Sequence, residues 1–346
     1  MSEREPKTAI PYPPSWIDRL TAWIERLPGP AWLFYLAGVL LTALLIEIAL
    51  WIDGSVPFGT YGAIKGIFPP FVFYLLALYH YLTYVGSRSL QAFRPLLDAG
   101  EAELARFEYR LTRLPRRWGW ASVLLGLITT PPYFLGDRLV FGDLVPRTPL
   151  PTIVAVLAAA FFGTTFLAVI VRSIRQLQLV HTLHARAAKV NLLKLEPAHA
   201  FSRLTAATGI GVMLVMILGY LYSPGSLGST WVVLMYLVIS SLAAVIFVVP
   251  VLGMRERLQQ EKQRALDETG DLLQLNLDRL HDRVRDDDRG DVRAAIDAIE
   301  ALVRERELIG KISTWPWNPA TVRGFASTLL LPIFLWLVTR LLEKFL

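Results

Sequence analysis

Few side chains in this chain of 346 residues are placed to do chemistry, and those few lie inside or beside long apolar runs. Glu47, in "LLIEIALWIDG", is the one acidic residue well inside such a run. An intramembrane carboxylate is a functional candidate by default. The plainer reading puts it near the outer interface, where it meets water or Arg138. His80 stands in "LALYHYLTY" among Tyr79, Tyr81 and Tyr84. It is either a proton sensor or cavity-lining group, or a histidine hydrogen-bonded in the bundle or at the aromatic belt. His181 and His184 form an HxxH pair with His199 close by, but no acidic residue joins them, so spacing alone makes no metal site. "DDDRGD" misses the register of a calcium loop. With Asp286 first, Gly290 falls at the fifth position and Asp297 replaces the twelfth-position glutamate. A solvated turn with Asp288 as a helix cap is expected there. There are no cysteines, hence no disulfide or thiolate chemistry. No nucleophile elbow, phosphate loop, dinucleotide fingerprint or HExxH occurs. The chain reads as a non-enzyme with no metal and no cofactor.

The elements that position these residues are membrane spans. The chain is 54% hydrophobic and 18% charged, against about 25% charged in soluble domains. Apolar runs of the length needed to cross bilayer hydrocarbon fall at 31–52, 67–86, 118–136, 151–172, 203–222, 230–252 and 322–342. The expected fold is therefore all-α: a polytopic membrane protein with seven transmembrane helices. Of its 35 basic residues, all but five precede the first span or border the connections after spans two, four and six. By the positive-inside rule the N-terminus is cytoplasmic, the C-terminus is outside, and the long connections are cytoplasmic. The net charge of +6 is thereby explained without nucleic acid. The N-terminus has no cleavable-signal pattern, so the first span is expected to act as its own insertion signal.

Four regions follow. Residues 1–30 form a cytoplasmic tail in which "SWIDRLTAWIERL" predicts an amphipathic interfacial helix. Its Trp16, Ile17, Leu20, Trp23, Ile24 and Leu27 share a face, with Asp18, Arg19, Glu25 and Arg26 opposite. Ser15 and Asp18 resemble a capping box. Residues 31–252 carry six spans. The first cytoplasmic connection bears a stripe of Leu104, Phe107, Leu111 and Leu114. Residues 253–320 predict an antiparallel helical hairpin. Its apolar seams are Leu273, Leu277, Leu280 and Val284 on one helix and Val292, Ile296, Ile299 and Val303 on the other. Two seams on two helices call for a partner, and an oligomer built on the cytoplasmic helices supplies one. Residues 321–346 carry the seventh span.

The hairpin enters that span through "WPWNPAT". Pro316 and Pro319 disfavour helix at Trp315 and Asn318. Asn318 can cap the next helix with Pro319 at its first position, and Trp315 and Trp317 suit the interfacial belt. The segment is an anchor, or a stiff elbow coupling hairpin to span. On the seventh span Thr321, Gly324, Thr328, Pro332, Leu335 and Thr339 share one face, while Leu, Ile, Phe, Val and Trp cover the others. Such a stripe packs against the bundle or lines a water path, with Leu335 or Leu331 as an apolar constriction. Rows of small residues (Ala155, Ala159 and Gly163; Ala160, Thr164 and Ala168; Ala207 with Gly211; Ser240 with Ala244) allow close helix approach.

An inside N-terminus, an interfacial helix, seven spans, cytoplasmic extensions after spans two, four and six, and an outside C-terminus resemble the plan of the insect odorant and gustatory receptors. The resemblance is one of topology and covers the whole chain. It implies a homotetrameric ligand-gated cation channel in the cell membrane. The seventh span would line the pore through Thr328, Pro332, Leu335 and Thr339, and spans two to six would supply a small-molecule pocket in their outer halves. Two other functions fit the same chain: a non-conducting sensor or scaffold acting through the hairpin, and a secondary transporter, a class that carries midplane charges or broken helices and for which Glu47 is the sole basis here.

Overall fold

The computed structural model describes residues 11–54, 56–60, 68–136, 148–186, 192, 195–197, 199–222, 230–285, 289–315, 317 and 319–345. These residues are helical throughout, with no strands; one isolated antiparallel bridge joins Pro14 to Pro115. The helices are α1 (Trp16–Glu25), α2 (Ala31–Ile52), α3 (Phe68–Phe93, followed by a 3-10 turn Arg94–Leu96), α4 (Glu101–Thr112), α5 (Arg116–Gly136), α6 (Pro149–Ala185), α7 (Ala200–Tyr222), α8 (Thr230–Arg285), α9 (Arg289–Lys311) and α10 (Pro319–Phe345).

Four of them are long and apolar enough to cross a bilayer: Ala31–Ile52, Pro149–His184, Ala200–Gly219 and Leu234–Asp282, at mean hydropathies of 2.3, 2.5, 1.8 and 2.6. The described residues of each expected span are helical, and α3, α6, α7 and α8 continue past or begin before the expected edge. α8 is the extreme case: its 56 residues reach about 84 Å at 1.5 Å per residue.

Burial differs among these windows. The most exposed apolar window, Ala31–Ile52, has 28% of its residues inside the protein, as is compatible with a helix whose outer face would meet hydrocarbon. The main buried cluster runs from the inner faces of α3, α6 and α7 to α1, α4 and the middle of α8. Ile17, Leu82, Val85, Phe93, Phe107, Leu111, Leu114, Leu183, Phe201, Met254 and Leu258 belong to one buried cluster. Phe107, Leu111 and Leu114 of the expected α4 stripe are inside it.

Local chemistry explains the joints. Ser15 caps α1 in a reciprocal box with Asp18. Gly29 at φ 113° turns the chain between α1 and α2, a conformation that strains any residue with a Cβ. The segment ahead of α1 is stitched to the α4–α5 turn. Ser15 N–H donates to Leu114 O (2.9 Å), Arg116 N–H to Pro13 O (3.0 Å), and the Trp16 indole to Gly119 O (3.2 Å). α5 and α6 approach through Gly126, whose added Cβ would lie 2.6 Å from the Thr164 nitrogen, and Gly163, whose Cβ would collide with Thr130. Ala159 and Ala168 are fully buried on α6, so its small-residue rows do pack helices.

The hairpin is present, with α9 packed back along α8, but its seam is rotated from the expected one. Thr269 and Ala295 are buried and Leu273, Leu280, Val292 and Ile299 half-buried, whereas Leu277, Val284, Ile296 and Val303 stay exposed. Lys262 secures the end of α9 by donating to Gly310 O (2.7 Å) and Ile312 O (2.8 Å), which satisfies carbonyls that a helix end leaves open. The expected cap Asp288 lies outside the described residues.

Candidate functional site

Three groups of side chains stand out among the described residues. The first is the elbow. Pro316 and Asn318 lie outside the described residues, and α10 begins at Pro319 as the sequence expects. Trp315 is 45% exposed, with the Arg255 guanidinium 5.0 Å from its ring centre, a cation–π geometry. Trp317, by contrast, is 3% exposed. It sits in a small second core with Ala206, Phe247 and Phe325, its ring 5.5 Å from Phe247, which stacks on Phe325 at 4.1 Å. An indole has enough apolar area for a protein interior once neighbours surround it, and here α7, α8 and α10 supply them. His199 also reaches the elbow. Burial pushes its pKa below the ordinary imidazole value, and a hydrogen bond to the Trp315 backbone pushes back.

The second is a crevice of about 520 Å³ between α3, α7 and α10, lined by Tyr74, Tyr81, Arg203, Ile210, Leu214 and Gly324 among others. Thr321 belongs to its wall, so the first turns of the seventh-span stripe face this crevice. Thr328 is half-buried and its hydroxyl donates to Gly324 O (2.8 Å). The side chains of Pro332, Leu335 and Thr339 lie outside the described set; the helix runs through all three positions.

The third is a buried polar network that the helical wheel misses. Asp18, assigned to the polar face of α1, is 1% exposed. Its carboxylate accepts from Ser15 N–H (3.0 Å) and Ser15 Oγ (2.7 Å), from the Tyr79 hydroxyl (2.8 Å) and from Leu114 N–H (3.0 Å). Arg172, 2% exposed, donates from Nη1 to Tyr79 O (2.8 Å) and lies 4.1 Å from that tyrosine's ring centre. One turn on, Gln176 donates to Leu111 O (2.8 Å). The only sequence signal for this network was the capping box, whose acidic member satisfies two local donors and has room for two more.

His80 is held rather than free. Its Nε2 donates to Glu25 Oε1 (2.8 Å), which leaves Nδ1 to accept from the Tyr35 hydroxyl (2.9 Å). Thus α1, α2 and α3 meet at one imidazole. Glu47 is 3% exposed, in the packed face of α2 with Ile46, Ala49 and Leu50; its expected neighbour Arg138 lies outside the described residues. A hydroxyl–carboxylate bond from Thr148 to Asp53 ties the far end of α2 to α6. His184 is 1% exposed between the rings of Phe93 (5.4 Å) and Phe201 (5.6 Å), while His181 is exposed. Among the described residues no group of three or more histidines and acids could hold a metal. No family model, curated protein or solved structure matches this chain.

Proposed function

We propose that this is a seven-span membrane protein, N-terminus in the cytoplasm, which assembles through its hairpin and conducts ions along a path shared by the α10 helices of neighbouring copies. The observation that carries the reading is exposed apolar surface on the hairpin, beyond the expected spans. Leu272, Leu275, Val284, Ile296 and Leu308 are 50%, 45%, 60%, 42% and 65% exposed on a hairpin rich in charge. Exposed leucines inside a bilayer need no explanation, but a run of them in water marks an interface. A second copy is the partner that also gives α10 a role. Its one extensive packing neighbour among the described helices is α7, and Leu330, Phe334, Leu337 and Leu341 face outward. A helix so placed at the protomer edge is available to a central assembly. The seven-helix plan of the insect receptor channels suggests a tetramer, a cation path and gating by a small molecule.

Two measurements test this. Cross-linking of the full chain in mild detergent should trap an oligomer through the hairpin. In planar bilayers the protein should pass current, and Leu335→Ala or Thr328→Val should change its amplitude or open time. An oligomer silent under every ligand, pH and voltage applied would instead favour the second reading, a non-conducting sensor or scaffold. That reading draws on the same exposed hairpin face, offered to a different protein.

A further inference from the structure

We propose that the crevice between α3, α7 and α10 holds an anionic phospholipid, with its phosphate on Arg203 and one acyl chain along the apolar wall. Three observations on the crevice support this occupant. Its volume of about 520 Å³ is within the roughly 300–1,000 Å³ of small-ligand sites. Its lining contains one charged side chain, Arg203, and no acid, and Arg203 has no ion pair among the described residues. The remaining wall is mostly alanine, leucine, isoleucine and glycine, with the hydroxyl side chains of Tyr74, Tyr81 and Thr321 as its other polar members. A cation at one end of a mostly apolar trough fits an amphiphile with an anionic head. It does not fit a polar solute, which would leave its other groups unpaired.

Length and direction narrow the choice to a membrane lipid. Arg203 sits in the first turn of α7 and Leu214 eleven residues further on, about 16 Å along the helix at 1.5 Å per residue. That is about half of the roughly 30 Å of bilayer hydrocarbon, the depth of one leaflet. Tyr81, Leu214 and Gly324 are exposed, so the trough opens sideways along α7, where a spanning helix meets lipid. Arginine and tyrosine at headgroup level are the side chains that an interface favours. The assignment needs the bundle to sit in a membrane, as proposed above, but not conduction or assembly; orientation decides only that the leaflet is the cytoplasmic one.

Gly324 is the place for a block. A Cβ there would meet no atom within 4 Å, so this position, which lines the trough, has open space for the first atom of a Gly324→Leu side chain. Native mass spectrometry of the full chain, released from detergent with phosphatidylglycerol or phosphatidylcholine of identical chains, would count retained lipids. The wild type should keep phosphatidylglycerol over phosphatidylcholine by about tenfold, the factor for one charge-assisted contact. Arg203→Gln should erase that preference, and Gly324→Leu should abolish retention of both lipids, with each variant melting like the wild type in lipid-free detergent. A variant that melts lower is replaced by Arg203→Lys or Gly324→Val, for which the preference should be kept and the retention lost, respectively. Equal retention of the two lipids by the wild type, or undiminished phosphatidylglycerol on Gly324→Leu, would overturn the assignment. Displacement of phosphatidylglycerol by equimolar laurate would overturn it in favour of a free fatty acid. Oligomeric state and current, read separately, report on the proposed function and not on this site.

Discussion

Asp18 joins three stretches of chain far apart in sequence: its own helix, α3 through the Tyr79 hydroxyl and the α4–α5 turn through Leu114 N–H. A buried carboxylate with its donors in place is stable; one turned into an amide presents N–H groups to donors. Asp18→Asn should lower stability by about 3 kcal/mol, the scale for breaking a buried charged network, and should open Arg19 to trypsin in the folded protein. Unchanged melting and cleavage would mean that the network is incidental. His199 makes a prediction of opposite character. Its folded pKa lies below the ordinary imidazole value of 6.5, chiefly through burial, so the unfolded chain takes up its proton first as pH falls. Its contribution to stability is therefore present above about pH 6.5 and lost as pH drops through and below that value. A melting profile from pH 7.5 to 5 should slope downward, and His199→Gln should flatten part of that slope. A profile identical in the variant would remove His199 as its source.

At the scale of elements, the elbow differs from a strap held by prolines. Trp317 is the plug of a core shared by α7, α8 and α10, and truncating a buried aromatic costs about 3–5 kcal/mol. Trp317→Ala should therefore lower stability by about that much, whereas Pro319→Gly should cost well under half of it. The reverse order would restore backbone stiffness as the main feature. The hairpin has its own test. Leu272 and Leu275 lie on an exposed strip of α8, so Leu272→Glu with Leu275→Glu should leave the helix content intact and shift the oligomer to monomer in size-exclusion chromatography. An oligomer that survives both changes is held together elsewhere.

At the scale of the whole molecule, absence of cysteine makes topology directly measurable. Single cysteines at Phe58, exposed between α2 and α3, and at Glu300, exposed on α9, label without background. With the proposed orientation, an impermeant maleimide should modify Phe58→Cys on intact cells and reach Glu300→Cys only after permeabilisation. The opposite pattern would invert the molecule, and labelling of both from outside would break the seven-span reading.

Helix existence and the charged extensions were legible from sequence because they depend on local quantities: apolar run length, proline position and the sign of flanking charge. Ser15 as a cap, the α4 stripe and the start of α10 at Pro319 were legible for the same reason. Which face of each helix is covered was not local. Asp18 is buried because the α4–α5 turn and Tyr79 bring donors to it. Trp317 is buried because Phe247 and Phe325 arrive from other helices, and the covered face of the hairpin is the one that carries Thr269 and Ala295. The crevice is built by residues of α3, α7 and α10 that are far apart in sequence. Periodicity reports that a helix has two faces, whereas only the packed tertiary structure decides what each face meets, since burial is set by neighbours that the sequence places tens to hundreds of residues away.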